Sequence, residues 1–207
     1  MCDRDVSVQD EAERWNQRWR ASNGPLGPPH PLVMSLCASL PAGARVLDIA
    51  AGRGRQSLAL ARAGLSVTAV DISAVALTRL AEDARAEGIP VVSVVADLLG
   101  GVPADVGGPF DAIVCVDYLN IDLLTQLGAF LAPAGRLVVS VATRENYTRH
   151  AHPSCRFLAP DDLDLASLTG LLPVRSDVGW RDDGRHTLWF VGEPMSDAVV
   201  PPSYRGS

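Results

Sequence analysis

The sequence predicts an α/β fold, a doubly wound and mostly parallel sheet of seven strands with an antiparallel last strand. Three observations carry this expectation. Five apolar runs of strand length alternate with segments at helical spacing, the pattern of parallel strands buried on both faces. A glycine turn, Gly52-Arg53-Gly54, joins the first run to a helix. The last two runs are separated only by "GWRDDGR", too short for a crossover helix, so they should pair antiparallel.

The elements follow in order. Residues 8–20 read as a helix with Trp15 and Trp19 one turn apart on one face. "SNGPLGPPHP" (22–31) is a loop by its glycines and prolines, and a short apolar helix is expected over 31–40. "RVLDIA" is the first strand, followed by a helix over roughly 55–63. "LSVTAVD" is the second, after which Ser73 caps a helix that closes on Gly88. "IPVVSVVAD" and "FDAIVCVD" are the third and fourth strands. A helix over about 121–131 puts Leu123, Leu124, Leu127 and Leu131 on one face, and "PAGRLVVSVAT" turns into the fifth strand. A helix near 160–168 and strands near 172–178 and 186–192 complete the chain. The expected organisation is one domain over 1–195, with 1–40 as a helical cap on the core of 41–195, and a disordered tail over 196–207.

Composition narrows the function. A chain of 207 residues, 47% hydrophobic, can build one substantial core and is short for two. The net charge of −6 and the absence of a basic patch argue against nucleic acid as a partner. The N-terminal stretch is charged where a secretion signal would be apolar, and no apolar run is long enough to span a bilayer, so a cytoplasmic protein is expected. Cysteines 2, 37, 115 and 155 are far apart, with no CxxC and no paired-histidine spacing, which suggests neither disulfides nor a metal site. Cys115, inside the fourth strand, reads as an inert core thiol. All 18 basic residues are arginines. Without lysine there is no Schiff-base chemistry and no P-loop.

In a doubly wound sheet, ligands bind beyond the C-terminal ends of the strands, where the strand order reverses. Three acids fall there: Asp48, Asp71 and Asp97 end the first, second and third strands. Asp71 lies 17 positions after Gly54, about where an acid accepts both ribose hydroxyls. A single strand-end aspartate could as well cap the following turn; three in succession make a ligand site the better reading. A dinucleotide fingerprint would place a third glycine where this chain has Ser57. A pyrophosphate would also have no use for Asp97, whose carboxylate suits the exocyclic amine of an adenine.

In this order and spacing, "VLDIAAGRGR", "VTAVDIS", "VVADLL" and "FDAIVCVDYLN" resemble the motifs of class I S-adenosylmethionine-dependent methyltransferases over roughly residues 44–142. The antiparallel last strand also matches that family's Rossmann-like seven-stranded sheet. The resemblance implies S-adenosylmethionine as cofactor. It places Asp48 and the backbone of Ala50 and Gly52 beside the methionine part, with Gly54 completing the turn. Asp71 would take the ribose hydroxyls, Ile72 would pack on the adenine, Asp97 and Leu98 would read its edge, and Val116 would border the cofactor from the fourth strand. The family pattern has glycine where this chain has Ala50, which is tolerated if that backbone is not left-handed.

Family members that methylate nucleobases or glutamine carry Asn/Asp-Pro-Pro-Tyr/Phe after the fourth strand; this chain has "VDYLN". A small-molecule methyl acceptor is therefore expected, whether a thiol, a selenol or another small nucleophile. The segment "RENYTRHAHPSCRF" (144–157) should hang over the reactive end of the cofactor. Its histidines and arginines would suit an anionic substrate or a proton acceptor, and its other reading is a solvated loop. His150 and His152 are the candidate bases and Tyr118 the candidate positioning group. His-Pro followed by Arg-Phe, with "WNQRW" near the N-terminus, resembles tellurite-resistance-type and related small-molecule methyltransferases. Trp15 and Trp19 could pack the first helix on the body or close a lid, and Arg18 could reach the methionine carboxylate. Two other readings stay open: a catalytically silent protein that binds the cofactor as a partner or sensor, and a nicotinamide-dependent reductase, which Ser57 and Asp97 disfavour.

Overall fold

A computed structural model of the chain describes residues 8–153 and 157–195. The expected tail over 196–207 lies outside them, as do Cys2 and Cys155. In chain order the elements are α1 (Val8–Ala21), α2 (Pro31–Ser39), β1 (Arg45–Ile49), α3 (Arg55–Arg62), β2 (Ser66–Asp71), α4 (Ala74–Glu87) and β3 (Val91–Val95). They continue with β4 (Phe110–Val116), α5 (Ile121–Leu127), β5 (Leu131–Ala142), α6 (Arg144–His150), α7 (Leu165–Thr169), β6 (Leu172–Trp180) and β7 (His186–Glu193).

The seven strands form one sheet in the order β3-β2-β1-β4-β5-β7-β6. Strands β1 to β5 are parallel, and β7 runs antiparallel to both neighbours, β5 and β6. The order reverses between β1 and β4, so the C-terminal ends of those two strands open the crevice where a ligand belongs.

Alternation along the strands feeds a core on each face. Leu47 and Ile49 of β1 join Ile113, Cys115, Leu137 and Val139 under the buried face of α5, where Leu123, Leu124 and Leu127 are fully covered. Val46 faces the other way, with Ala112, Val114 and Val138, against Leu32, Val33 and Leu36 of α2 and Leu60 of α3. Each fully buried leucine contributes about 1.5–3 kcal/mol relative to exposure. Burial pushes the Cys115 thiol far up, which leaves it protonated.

Several local expectations shift. β3 is not buried on both faces: Val92 and Val95 are about 60% and 56% exposed, because this strand ends the sheet and has a partner on one side only. The helix expected over 121–131 stops at Leu127, and a single tight turn, Gly128–Phe130, leads directly into β5. The helix expected near 160–168 is shorter and later, because Asp164 accepts the Ala166 and Ser167 N–H groups and starts it there. The segment 144–157 is not wholly loop, since its first half is α6. Among the described residues no helix is long and apolar enough to cross a membrane.

Candidate active site

The glycine turn after β1 is built from three left-handed residues, Ala50 (φ 54°), Gly52 (φ 55°) and Gly54 (φ 78°). The condition set for alanine at position 50, a backbone that is not left-handed, is not met. A left-handed alanine costs about 1–2 kcal/mol, which its neighbours must hold in place. Gly54 caps α3, and a side chain there would collide with Leu80 of α4 at 2.2 Å. It therefore supplies the close packing that a dinucleotide fold assigns to a later glycine. The serine standing at that later position is engaged elsewhere, since the Ser57 hydroxyl donates to Asp48 at 2.5 Å.

Asp48 is wholly buried, and desolvation pushes its carboxyl up to about 7 against the pull of the Ser57 hydrogen bond. Asp71, at the end of β2, accepts the Gly52 N–H at 2.7 Å and the Ser73 N–H at 2.8 Å. Burial raises this carboxyl too, and the two backbone donors offset part of the rise. Asp97 accepts the Leu99 N–H at 3.0 Å and so caps the turn Leu98–Gly100. The capping role that a strand-end acid can play is real for Asp71 and Asp97, and it leaves each with further lone pairs for a ligand.

These groups open into one cavity of about 1460 Å³. Asp48, Ala50, Gly52, Asp71, Ile72, Asp97, Leu98 and Val116 line one part of it, and Arg18, Tyr118 and His152 line the rest. Drug-sized ligands fill roughly 300–1,000 Å³, so the space suits a nucleoside cofactor together with a second molecule. The fit to S-adenosylmethionine rests on the donor set: acids for ribose and amine, apolar Ile72 and Leu98, and a glycine turn that admits close approach.

Helix α1 roofs this cavity. Asn16 Oδ1 accepts the Ser73 hydroxyl at 2.8 Å and the Val75 N–H at 3.2 Å, while Arg79 donates to the carbonyls of Trp19 and Ser22. The Trp19 ring lies on Gly52, where an added Cβ would meet it at 2.8 Å. Trp15 lines the cavity beside Phe157, its indole N–H donating to Glu11 at 2.8 Å. The two tryptophans thus both pack the helix and cover the site. The Arg18 guanidinium sits over the Trp15 ring at 5.2 Å.

Two of the candidate residues do not reach the cavity. Gly54 acts from behind the turn, and His150 faces the β6–β7 hairpin. There its Nε2 donates to the Gly184 carbonyl at 2.9 Å, and its ring meets Trp180 edge-on. The helical form of 144–150 explains the difference, because it turns His150 away while His152, beyond the helix end, returns to the wall.

Other wall residues escape the sequence reading. Asp117, at φ 62°, accepts hydrogen bonds from Arg55 at 2.9 Å and from Arg185. These guanidiniums hold its carboxyl below the usual range despite burial. Asp117 directly follows β4 and so sits at a strand's C-terminal end like the other three acids, a signal present in "VCVD". Arg185 has no such local signal, since only the hairpin brings it there. Gln56 lies on the wall with its Oε1 accepting the His30 N–H at 2.9 Å, and its side-chain nitrogen is buried without a partner among the described residues. Burial lowers the His30 imidazole to about 4, so that ring is neutral structural filling.

A doubly wound sheet with an acid at each of its first strand ends and a glycine turn at the switch point defines a nucleoside-cofactor-binding α/β protein. Residues 46–138 match the family model described as a methyltransferase domain. Among curated proteins, the chain is 34% identical over 156 residues to the ubiquinone biosynthesis O-methyltransferase of Xylella fastidiosa (strain M23), a match covering 67% of this chain. The chain spans about 60% of that relative's length. Among solved structures, TehB from Haemophilus influenzae superposes with a TM-score of 0.65 at 16% identity, covering 89% of this chain and 67% of TehB. The magnesium protoporphyrin IX methyltransferase of Synechocystis PCC 6803 with bound SAM gives 0.66 at 19% identity, covering 94% and 100%. At such identities the structural likeness shows the fold alone. The chain carries a class I S-adenosylmethionine-dependent methyltransferase domain, and S-adenosylmethionine is the cofactor of that domain.

Proposed function

We propose that the protein transfers a methyl group from S-adenosylmethionine to a small-molecule nucleophile. The observation that carries this reading is the single cavity in which the strand-end acids share a wall with Tyr118, Tyr147, His152 and Phe157. The name of the Xylella relative, an O-methyltransferase of ubiquinone biosynthesis, supports a small acceptor. Bound S-adenosylmethionine supplies an activated methyl on a sulfonium. The protein's part is to orient the acceptor and exclude water. Asp71, Asp97, Ile72 and Leu98 would hold the adenosine part, and Asp48 the cationic methionine part. Trp15, Trp19 and α1 cover the site from solvent.

A thiol, a selenol or an acidic phenol suits the wall best, because the strand-end acids are given to the cofactor and Asp117 to two guanidiniums. Asp117 is tied between two guanidiniums and is a poor base. His152 is the one histidine among the described residues of the cavity wall, which leaves it as the base for a less acidic acceptor and Tyr118 as the positioning group. Because α2 packs into the core, the expected cap reduces to α1; single-domain organisation, a cytoplasmic setting and no nucleic-acid partner belong to the same proposal. They are supported by the docking of α1 on α4, the scattered cysteines and the net charge of −6.

The test is production of S-adenosylhomocysteine from S-adenosylmethionine with a panel of small thiols, catechols and amines. Turnover with a panel member supports the reading. Tight cofactor binding with no turnover on any of them favours the alternative of a silent cofactor-binding protein. With a turned-over amine or other weakly acidic acceptor, His152→Ala should lower kcat by about 10²-fold, as loss of a general base does, while His150→Ala leaves it unchanged. Equal effects of the two changes would remove the distinction drawn from their positions.

A further inference from the structure

Asp117, Arg55 and Arg185 form a charged cluster that the assignment of the cofactor leaves unused. Arg55 begins α3, Asp117 follows β4 and Arg185 precedes β7, so residues 62 and 68 positions apart meet at one point. Arg55 Nη2 lies 2.9 Å and Arg185 Nη1 3.3 Å from Asp117 Oδ2, and Arg185 Nη2 donates to Oδ1. All three line the cavity, and their side chains keep about a third of their surface exposed. One carboxylate cannot accept from every N–H of two guanidiniums, so donors are left over on the wall, while Asp183 offsets part of the charge of Arg185. The neighbouring Asp183 lies outside the cavity lining and accepts the Arg185 backbone N–H at 3.0 Å.

The wall next to this cluster is aromatic. Tyr118 follows Asp117 directly and lies 6.0 Å from the Phe157 ring, which in turn lies 6.2 Å from Trp15. A planar ring can lie against such a wall, and a fork of guanidinium N–H groups matches a carboxylate in the same plane.

We propose that Arg55 and Arg185, splayed by Asp117, select an aromatic methyl acceptor that carries a carboxylate. This rests on the reading of the protein as a small-molecule methyltransferase. Asp117 holds both guanidiniums ready, so little side-chain ordering remains when the anion arrives. The same pair could instead take the carboxylate of the cofactor's methionine, and the experiment separates the two sources.

Calorimetry on protein saturated with S-adenosylhomocysteine measures binding of 3,4-dihydroxybenzoate and of its neutral counterpart, catechol. The wild type should bind 3,4-dihydroxybenzoate at least about tenfold more tightly, the usual worth of a charge-assisted hydrogen bond. Arg185→Gln and Arg55→Gln should each bring the two probes close to equal affinity, and Arg185→Lys should restore part of the preference. Affinity for S-adenosylhomocysteine should stay within about twofold in all three, which also shows that they fold. Equal binding of the probes by the wild type, or binding of neither, overturns the proposal. So does a preference that survives both Gln changes, or a loss of S-adenosylhomocysteine affinity in its place, which would give the guanidiniums to the cofactor. Failure of the wild type to bind S-adenosylhomocysteine at all would overturn the methyltransferase reading itself.

Discussion

Replacing Asp71 with Ala should lower affinity for S-adenosylhomocysteine by about 100-fold or more and destabilise the fold by roughly 2–4 kcal/mol. The size follows from the two roles of one carboxylate. Its oxygens accept the buried N–H groups of Gly52 and Ser73, so they fix the glycine turn and the start of α4 together. Removing them leaves two backbone donors unpaired, at about 1–3 kcal/mol each, and takes away the acceptor proposed for the ribose. Asp71→Asn should fall between, because its amide must turn a donor toward one of two donors. Calorimetry and urea unfolding measure both quantities. A variant that kept wild-type affinity would remove Asp71 from the cofactor site.

Asp48→Asn should make the protein more stable than the wild type at pH 8, by on the order of a few kcal/mol, and no more stable below pH 4. Burial raises the native carboxyl of Asp48 to about 7, far above an unfolded value near 3.9. The native state therefore holds this proton more tightly than the unfolded chain does. The stabilisation from protonated Asp48 is full below the unfolded value and is lost as pH rises to about 7. Asparagine keeps an acceptor for the Ser57 hydroxyl and cannot ionise, so this slope disappears. The same substitution should weaken cofactor binding at pH 8, where the ionised Asp48 would face the cationic methionine part. Wild-type affinity should fall as pH drops through 7, and that of the variant should stay flat. Stability curves that coincide at all pH values would contradict this role for Asp48.

The strand-end acids were legible because a parallel sheet converts local order into a shared edge. Asp48, Asp71 and Asp97 each end an apolar run, and the topology alone brings them to one side. Edge position was not legible. β3 reads like an interior strand, yet its partner count is set by strand order, which no local pattern records. The charged cluster at Asp117 was half visible, since Asp117 follows the strand-end rule while Arg185 arrives only through the hairpin. His150 shows the limit of reading a loop by composition. It stands two positions before His152, and the end of α6 sends the two rings to different surfaces. Ala50 shows a different limit, because a left-handed φ in a non-glycine residue is held by its surroundings rather than by its own preference.

The central claim is that this cavity binds S-adenosylmethionine and no nicotinamide dinucleotide. Titrating the protein with S-adenosylhomocysteine and, separately, with NADH by calorimetry tests it most directly. Saturable one-to-one binding of S-adenosylhomocysteine, with no saturation by NADH, is the predicted result. Saturation by NADH without binding of S-adenosylhomocysteine would contradict it.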